Sequence, residues 1–283
     1  MKRILHAIAN ASRQLFRHWG SLLILFALDL VMLGAIYQFI ATREATVAQL
    51  FLSLLLALLA PVLFLVIQTM AARYNQGSPR AWALLGGSLR DFWKLLVISL
   101  PVLLIAALAV YLFSKIGTSP PATTVRDAVR ALPAPTRAAT PKTQHVHWHT
   151  VALTTIQYLL YCLVLPLAAV HLWIATARDG LKQAFKRFAR ILGHAFAPRS
   201  VVTYAIGFVF FAVVPFFLVV TRTSVASPWL DFLLLSVRLL LAALLSLIGW
   251  VVTVGALGEL SGPNANESVA QADGGTVHVP AEA

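Results

Sequence analysis

Six stretches of this chain are apolar for longer than any core-facing helix of a water-soluble domain requires: 19–40, 47–71, 95–116, 151–175, 201–221 and 229–256. About 20 residues at 1.5 Å per residue suffice to cross roughly 30 Å of hydrocarbon, and each stretch meets that length. In hydrocarbon the backbone has no water to bond, so each stretch must close its own hydrogen bonds as a helix. The fold class is therefore all-α: a polytopic membrane protein with six transmembrane helices. Composition agrees, since 59% of the residues are hydrophobic, only 11% are charged, and the mean hydropathy is +0.82. Soluble domains carry about a quarter charged residues.

The net charge of +12 would suggest nucleic acid in a soluble protein. Here the basic residues lie between apolar spans, where anionic lipid headgroups and topology setting account for them, so no nucleic-acid partner is expected. The one cysteine, Cys162, rules out an intrachain disulfide. The first span is too long for a signal-peptide core and lacks a following cleavage site, so it reads as a retained anchor.

Lys and Arg are distributed unevenly among the connections. The amino-terminal segment carries Lys2, Arg3, Arg13 and Arg17; the second connection carries Arg73, Arg80, Arg90 and Lys94. The fourth carries Arg178, Lys182, Lys186, Arg187, Arg190 and Arg199, whereas the first and fifth hold only Arg43 and Arg222. The positive-inside rule then puts both termini in the cytoplasm of a bacterial inner membrane. The third connection, 117–150, is long and basic yet falls outside by the hairpin count; long loops obey the rule less strictly.

Each basic segment also has helical periodicity. Ile4, Ile8, Ala11, Leu15 and Trp19 share one face of a helix whose other face carries Lys2, His6, Arg13 and Arg17. Trp82, Leu85, Leu89, Phe92 and Leu96 form a second stripe opposite Arg90 and Lys94, after a Ser78-Pro79 start signal. Leu181, Phe185, Phe188, Leu192 and Phe196 form a third, opposite Lys182, Lys186, Arg190 and His194, with Pro198 as its stop. Such helices suit the headgroup layer, with Arg13, Arg17, Arg90, Lys94, Lys182, Lys186 and Arg190 toward lipid phosphates. Trp19, Trp82, Trp93 and Trp250 are the expected interfacial anchors.

An amphipathic helix followed by a hairpin of spans thus occurs three times. The single transmembrane domain 1–260 divides into units 1–77, 78–178 and 179–260. Pro61 precedes Arg73 by the same interval as Pro166 precedes Arg178; the third unit lacks this mark. Residues 261–283 read as a disordered cytoplasmic tail.

Two charges lie deep within spans. Asp29 and Arg238 fall at similar mid-bilayer depth, where an isolated charge costs at least about 2.5–3.5 kcal/mol, so they are expected to face each other. Arg238, Ala242, Ser246, Gly249, Thr253 and Ala256 share a face of the sixth span that would admit a close neighbour. This pair is read as structural, or as the site of a transported anion or proton. His171 and Gln68, at matching depth, suggest a hydrogen-bonded packing contact, or a relay from His171 to Asp29. Pro61, Pro101, Pro166 and Pro215 are expected to kink their helices.

The connection after Gly117 is rich in Pro, Ala and Thr and reads as a flexible outer loop with one short helix near 125–132. His145, His147 and His149 alternate, so an extended strand would present all three on one face to Zn²⁺ or Cu²⁺; an incidental polar approach to the fourth span is the competing reading. No cofactor is implied. No P-loop, H-E-x-x-H or G-x-S-x-G pattern occurs, and Asp29 has no second intramembrane carboxylate, so enzymatic chemistry is not expected.

The basic, Trp-containing helix leading into an apolar hairpin, with Arg13-x-x-x-Arg17-x-Trp19 as its nearest motif, resembles bacterial six-span inner-membrane proteins similar to the membrane domain joined to some glycerophosphodiester phosphodiesterases. The resemblance covers most of 1–260. The soluble phosphodiesterase domain is absent from this sequence, so it carries over no catalytic residue. Together these features predict a non-enzymatic inner-membrane protein, an assembly or membrane-organising component, its expected partners being membrane lipids with anionic headgroups and either a second copy or another membrane protein. The alternative is a small-solute or lipid transporter working through the Asp29 and Arg238 region.

Overall fold

The computed structural model describes residues 2–42, 46–74, 81–117, 148–221 and 227–261, and all elements among them are helical. In chain order these are α1 (Lys2–Arg17), α2 (Trp19–Ala41), α3 (Val47–Tyr74), α4 (Ala81–Gly117), α5 (Trp148–Leu159), α6 (Leu165–Asp179), α7 (Leu181–Lys186), α8 (Phe188–Ala195), α9 (Pro198–Phe208), α10 (Val214–Val220) and α11 (Pro228–Leu260). Six helical runs are long and apolar enough to cross a membrane, in the expected order. The outer-loop helix near 125–132, the Ser78-Pro79 start signal and the tail from residue 262 lie outside the described residues.

Proline chemistry explains where two spans widen. Proline lacks an N–H and its ring crowds the carbonyl four residues earlier. A π-helical turn, Leu160–Val164, joins α5 to α6 just before Pro166. A second, Val209–Val213, joins α9 to α10 just before Pro215. By contrast Pro61 and Pro101 sit inside the unbroken helices α3 and α4. The kink expected at all four prolines is therefore realised as a π-turn at two of them.

The chain forms two compact units. One comprises Met1–Ser99 with Leu167–Ala283; the other is Leu100–Pro166. In the second, the later part of α4 turns Leu103, Leu104, Ile105 and Leu108 outward, and among its described side chains only Val102 and Ala109 are buried. An outward hydrocarbon face of this kind suits lipid, because lipid tails are as apolar as leucine.

The first unit contains the larger core. Leu15 of α1, Leu22 and Leu25 of α2, Met70 of α3, Leu84 of α4 and Val251 of α11 pack together in it. Within α6, every residue from Leu167 to Thr176 is buried, as expected of a helix enclosed on all sides. Trp173 anchors it by donating from Nε1 to Ser99 Oγ at 2.8 Å, with its ring edge-on to Phe64 at 5.9 Å.

The three basic segments fold differently from one another. In α1, Ile4, Ala11 and Leu15 of the expected stripe are buried with Ala7 and Ile8 is half-buried, while the cationic face is exposed; Trp19 begins α2 and is exposed. The second segment is no separate helix. It is the first part of α4, whose 37 residues extend about 55 Å, far beyond a bilayer's hydrocarbon. Leu84, Ser88, Leu95 and Ile98 are buried, while Trp82, Leu89 and Leu96 are exposed. The third segment breaks at Arg187 into α7 and α8 and ends at Ala195, just before Pro198, which also begins α9. Gly180, with φ +82°, makes the turn between α6 and α7, a conformation that favours glycine.

Candidate functional site

Small residues create the site. Ala7 and Ala11 of α1 are buried against Ala256 of α11, and alanines there let the two backbones come close. The packing fixes one flank of α1 beside the ends of α3, α6 and α11. Between them lies a cavity of about 330 Å³, bordered by Asn10, Arg13, Gln14, Arg178, Gly258 and Glu259 and floored by apolar side chains that include Ile174 and Val254.

The polar rim is held from several directions. Asn10 donates from Nδ2 to Glu259 Oε1 at 3.1 Å, joining the first helix to the last. Arg178 pairs with Asp179 at 3.0 Å and donates from Nη1 to the Ser261 carbonyl at 3.2 Å, satisfying a carbonyl just past the end of α11. Arg13 and Glu259 carry opposite charge on the same rim, yet no ion pair joins them among the described residues. Tyr74 at the end of α3 fixes the far end of α1 by donating to the Leu15 carbonyl at 2.9 Å.

Of the residues expected to face lipid phosphates, Arg13 lines this cavity; Arg178, noted from sequence as a basic residue of the fourth connection, joins it. Arg17, Arg90, Lys182, Lys186 and Arg190 are exposed. Lys94 instead turns to Asp91 at 2.6 Å. The same carboxylate takes the guanidinium of Arg73, which lies directly over Gly87, where a Cβ would meet Arg73 Nη1 at 2.8 Å. Lys94 is thus a partner of Asp91 within α4, while Arg73 is the group that closes α3 onto α4.

The expected Asp29–Arg238 pair does not form among the described residues. Arg238 donates to the Thr221 carbonyl at the end of α10. A long cationic side chain can reach a helix C-terminus, where unpaired carbonyls gather negative charge, and so needs no buried anion. Asp29 is half-buried in α2.

Gln68 and His171 are both buried but take separate partners. Gln68 Oε1 accepts from Trp250 Nε1 at 2.7 Å, and Trp250 is half-buried with its ring edge-on to Phe211 at 5.1 Å. His171 Nδ1 meets the Leu167 carbonyl of its own helix at 2.9 Å, and its Nε2 has no partner among the described residues. His145 and His147, and the side chain of His149, lie outside the described residues. Among the described residues no three metal-ligating side chains converge.

The small-residue face of α11 finds its neighbour in the π-turn. Pro215 leaves the Phe211 carbonyl without its usual donor four residues on. Ser246 Oγ donates to that carbonyl at 2.7 Å, and Gly249 lets α11 approach, since a Cβ there would stand 3.0 Å from Phe211 N. A few residues on, Thr253 fills the space above Gly207. A second, mostly apolar cavity of about 210 Å³ borders this seam, between Ile8, Ile206, Phe210 and Val252.

Sequence reasoning missed Asn10, Gln14, Arg178 and Glu259 as a group. A local signal exists: Asn10, Arg13 and Gln14 share a flank at helical spacing, and Gly255 and Gly258 precede Glu259 by intervals that put all three on one side of α11. The fold and this rim define an integral, multi-pass α-helical membrane protein with a polar cavity formed between its first and last helices. No family model, curated protein or solved structure matches the chain.

Proposed function

We propose that this chain is a non-enzymatic protein of a bacterial inner membrane, with both termini cytoplasmic, that organises the phospholipid and protein around it. One observation carries this reading. The apolar face of α1 is sealed against protein, so its cationic face is held in a fixed position. Lys182, Lys186 and Arg190 add an exposed basic surface on α7 and α8. Each basic residue near an anionic membrane surface contributes about 1 kcal/mol, so such a cluster gathers acidic lipid strongly. The satisfaction of Arg238 by a helix-end carbonyl, and the close seat of α11 on the π-turn, favour this reading over transport through the Asp29 and Arg238 region.

The test is the lipid shell carried out of the membrane. Full-length protein extracted in polymer-bounded native discs is expected to be enriched in phosphatidylglycerol over the bulk membrane, with enrichment falling several-fold in Lys182→Gln/Lys186→Gln/Arg190→Gln. Equal lipid composition in disc and bulk, or solute flux in reconstituted vesicles abolished by Asp29→Asn, contradicts the proposal.

A further inference from the structure

The cavity between α1 and α11 carries two signs of charge. Arg13 and Arg178 supply guanidinium groups and Glu259 a carboxylate, with Asn10 and Gln14 as neutral amides. Arg178 is balanced by Asp179. That leaves one cation, Arg13, and one anion, Glu259, across a space of about 330 Å³ that no side chain bridges with an ion pair among the described residues. Among the described residues the Glu259 carboxylate meets only an amide, through Oε1.

A ligand that fits must complement both signs. Guanidinium forks match the oxygens of a phosphate. A carboxylate beside an amide oxygen matches a primary ammonium, which has three N–H donors and no acceptor. A purely anionic group would leave Glu259 facing negative charge, and a quaternary ammonium would offer it no hydrogen to accept. The floor of Ile174, Val254, Ala11 and Ala72 suits hydrocarbon next to the polar group. Gly255 and Gly258 keep the wall open, and the nearest atom to a Cβ at Gly258 would be Ile174 Cγ2 at 3.8 Å.

We infer that this cavity binds the phosphoethanolamine headgroup of a membrane phospholipid, its phosphate against Arg13 and its ammonium against Glu259 and Gln14. The inference rests on the reading that this end of the protein meets phospholipid headgroups, and it goes further in naming a zwitterion where the exposed basic surface selects only for negative charge.

The experiment is native mass spectrometry of the full chain released from discs containing equal parts phosphatidylethanolamine, phosphatidylcholine and phosphatidylglycerol. The wild type is expected to keep one phosphatidylethanolamine per chain under activation that strips the other two. Glu259→Gln should lower its preference over phosphatidylcholine by about tenfold, the scale of one charge-assisted hydrogen bond. Gly258→Val should fill the cavity and reduce retention with the charges intact. Thermal melting in detergent checks that both variants remain folded.

Equal retention of phosphatidylethanolamine and phosphatidylcholine by the wild type overturns the inference, as does an unchanged preference in folded Glu259→Gln. Stabilisation by soluble phosphoethanolamine without any retained lipid assigns the cavity to a free metabolite and also overturns it. If phosphatidylglycerol remains enriched around the protein while phosphatidylethanolamine is not retained, the inference fails and the membrane-organising reading stands. If neither lipid is favoured, both fail.

Discussion

Single residues decide how closely the helices approach. Gly207 and Thr253 are complementary: a Cβ on Gly207 would overlap the Thr253 side chain. Overpacking of this kind costs about 1–3 kcal/mol. Gly207→Ala should therefore lower the thermal midpoint, and adding Thr253→Gly should restore part of the loss. Simple addition of the two costs, followed by thermal unfolding of purified protein, would refute this contact. Sequence pattern exposed one half of the seam, because Ser246, Gly249 and Thr253 recur at helical spacing. It could not reveal what they meet. The opposing surface is a backbone carbonyl freed by Pro215, and a carbonyl leaves no trace in residue identity. Arg238 illustrates the same limit. Its place within an apolar helix was legible, but its partner is the Thr221 carbonyl rather than the carboxylate of Asp29.

At the scale of elements, α1 was legible and α4 was not, for one physical reason. Around α1, Ile4, Ala7, Ala11 and Leu15 line one side and face protein while its charges face outward. Along α4 the outside is suited to hydrocarbon or its boundary, so large apolar side chains such as Trp82 and Leu89 turn outward. The inward face is marked by Ser88, Asp91 and Ser99 beside Leu84, Leu95 and Ile98. In lipid, apolarity ceases to identify the inside, and small or paired polar residues identify it instead. The Arg73–Asp91–Lys94 cluster follows from this logic. The Arg73 and Asp91 side chains are only 26% and 16% exposed, so one carboxylate holds two cations in partial shelter. Asp91→Asn should destabilise the protein by about 1–3 kcal/mol, because it leaves both cations without a counter-charge. Arg73→Met with Asp91→Leu should cost less than Asp91→Asn alone, measured as shifts in thermal midpoint. The opposite order would show that the cluster does not close α3 onto α4 as described.

For the molecule as a whole, the decisive feature is that the first and last helices meet. Ala7, Ala11 and Ala256 bring α1 and α11 together, Asn10 reaches Glu259, and Tyr74 secures the far end of α1. Both the fixed cationic face and the polar cavity depend on that contact, and therefore so does the membrane-organising role proposed from them. The number and order of spans were readable from sequence, since each apolar run exceeds a bilayer's thickness. The docking of α1 was not, because an amphipathic helix covers its apolar face equally well with lipid.

Cross-linking in native membranes tests this contact most directly. In a Cys162→Ser background, Asn10→Cys combined with Glu259→Cys should be joined efficiently by a short bis-maleimide or by mild oxidation, and Lys2→Cys with Glu259→Cys should serve as a comparison of lower yield. Efficient, position-dependent cross-linking within one chain is the expected result. Absence of a cross-link at the first pair, with both substituted positions reacting freely with a membrane-impermeant maleimide from opposite sides of the bilayer, would contradict the account.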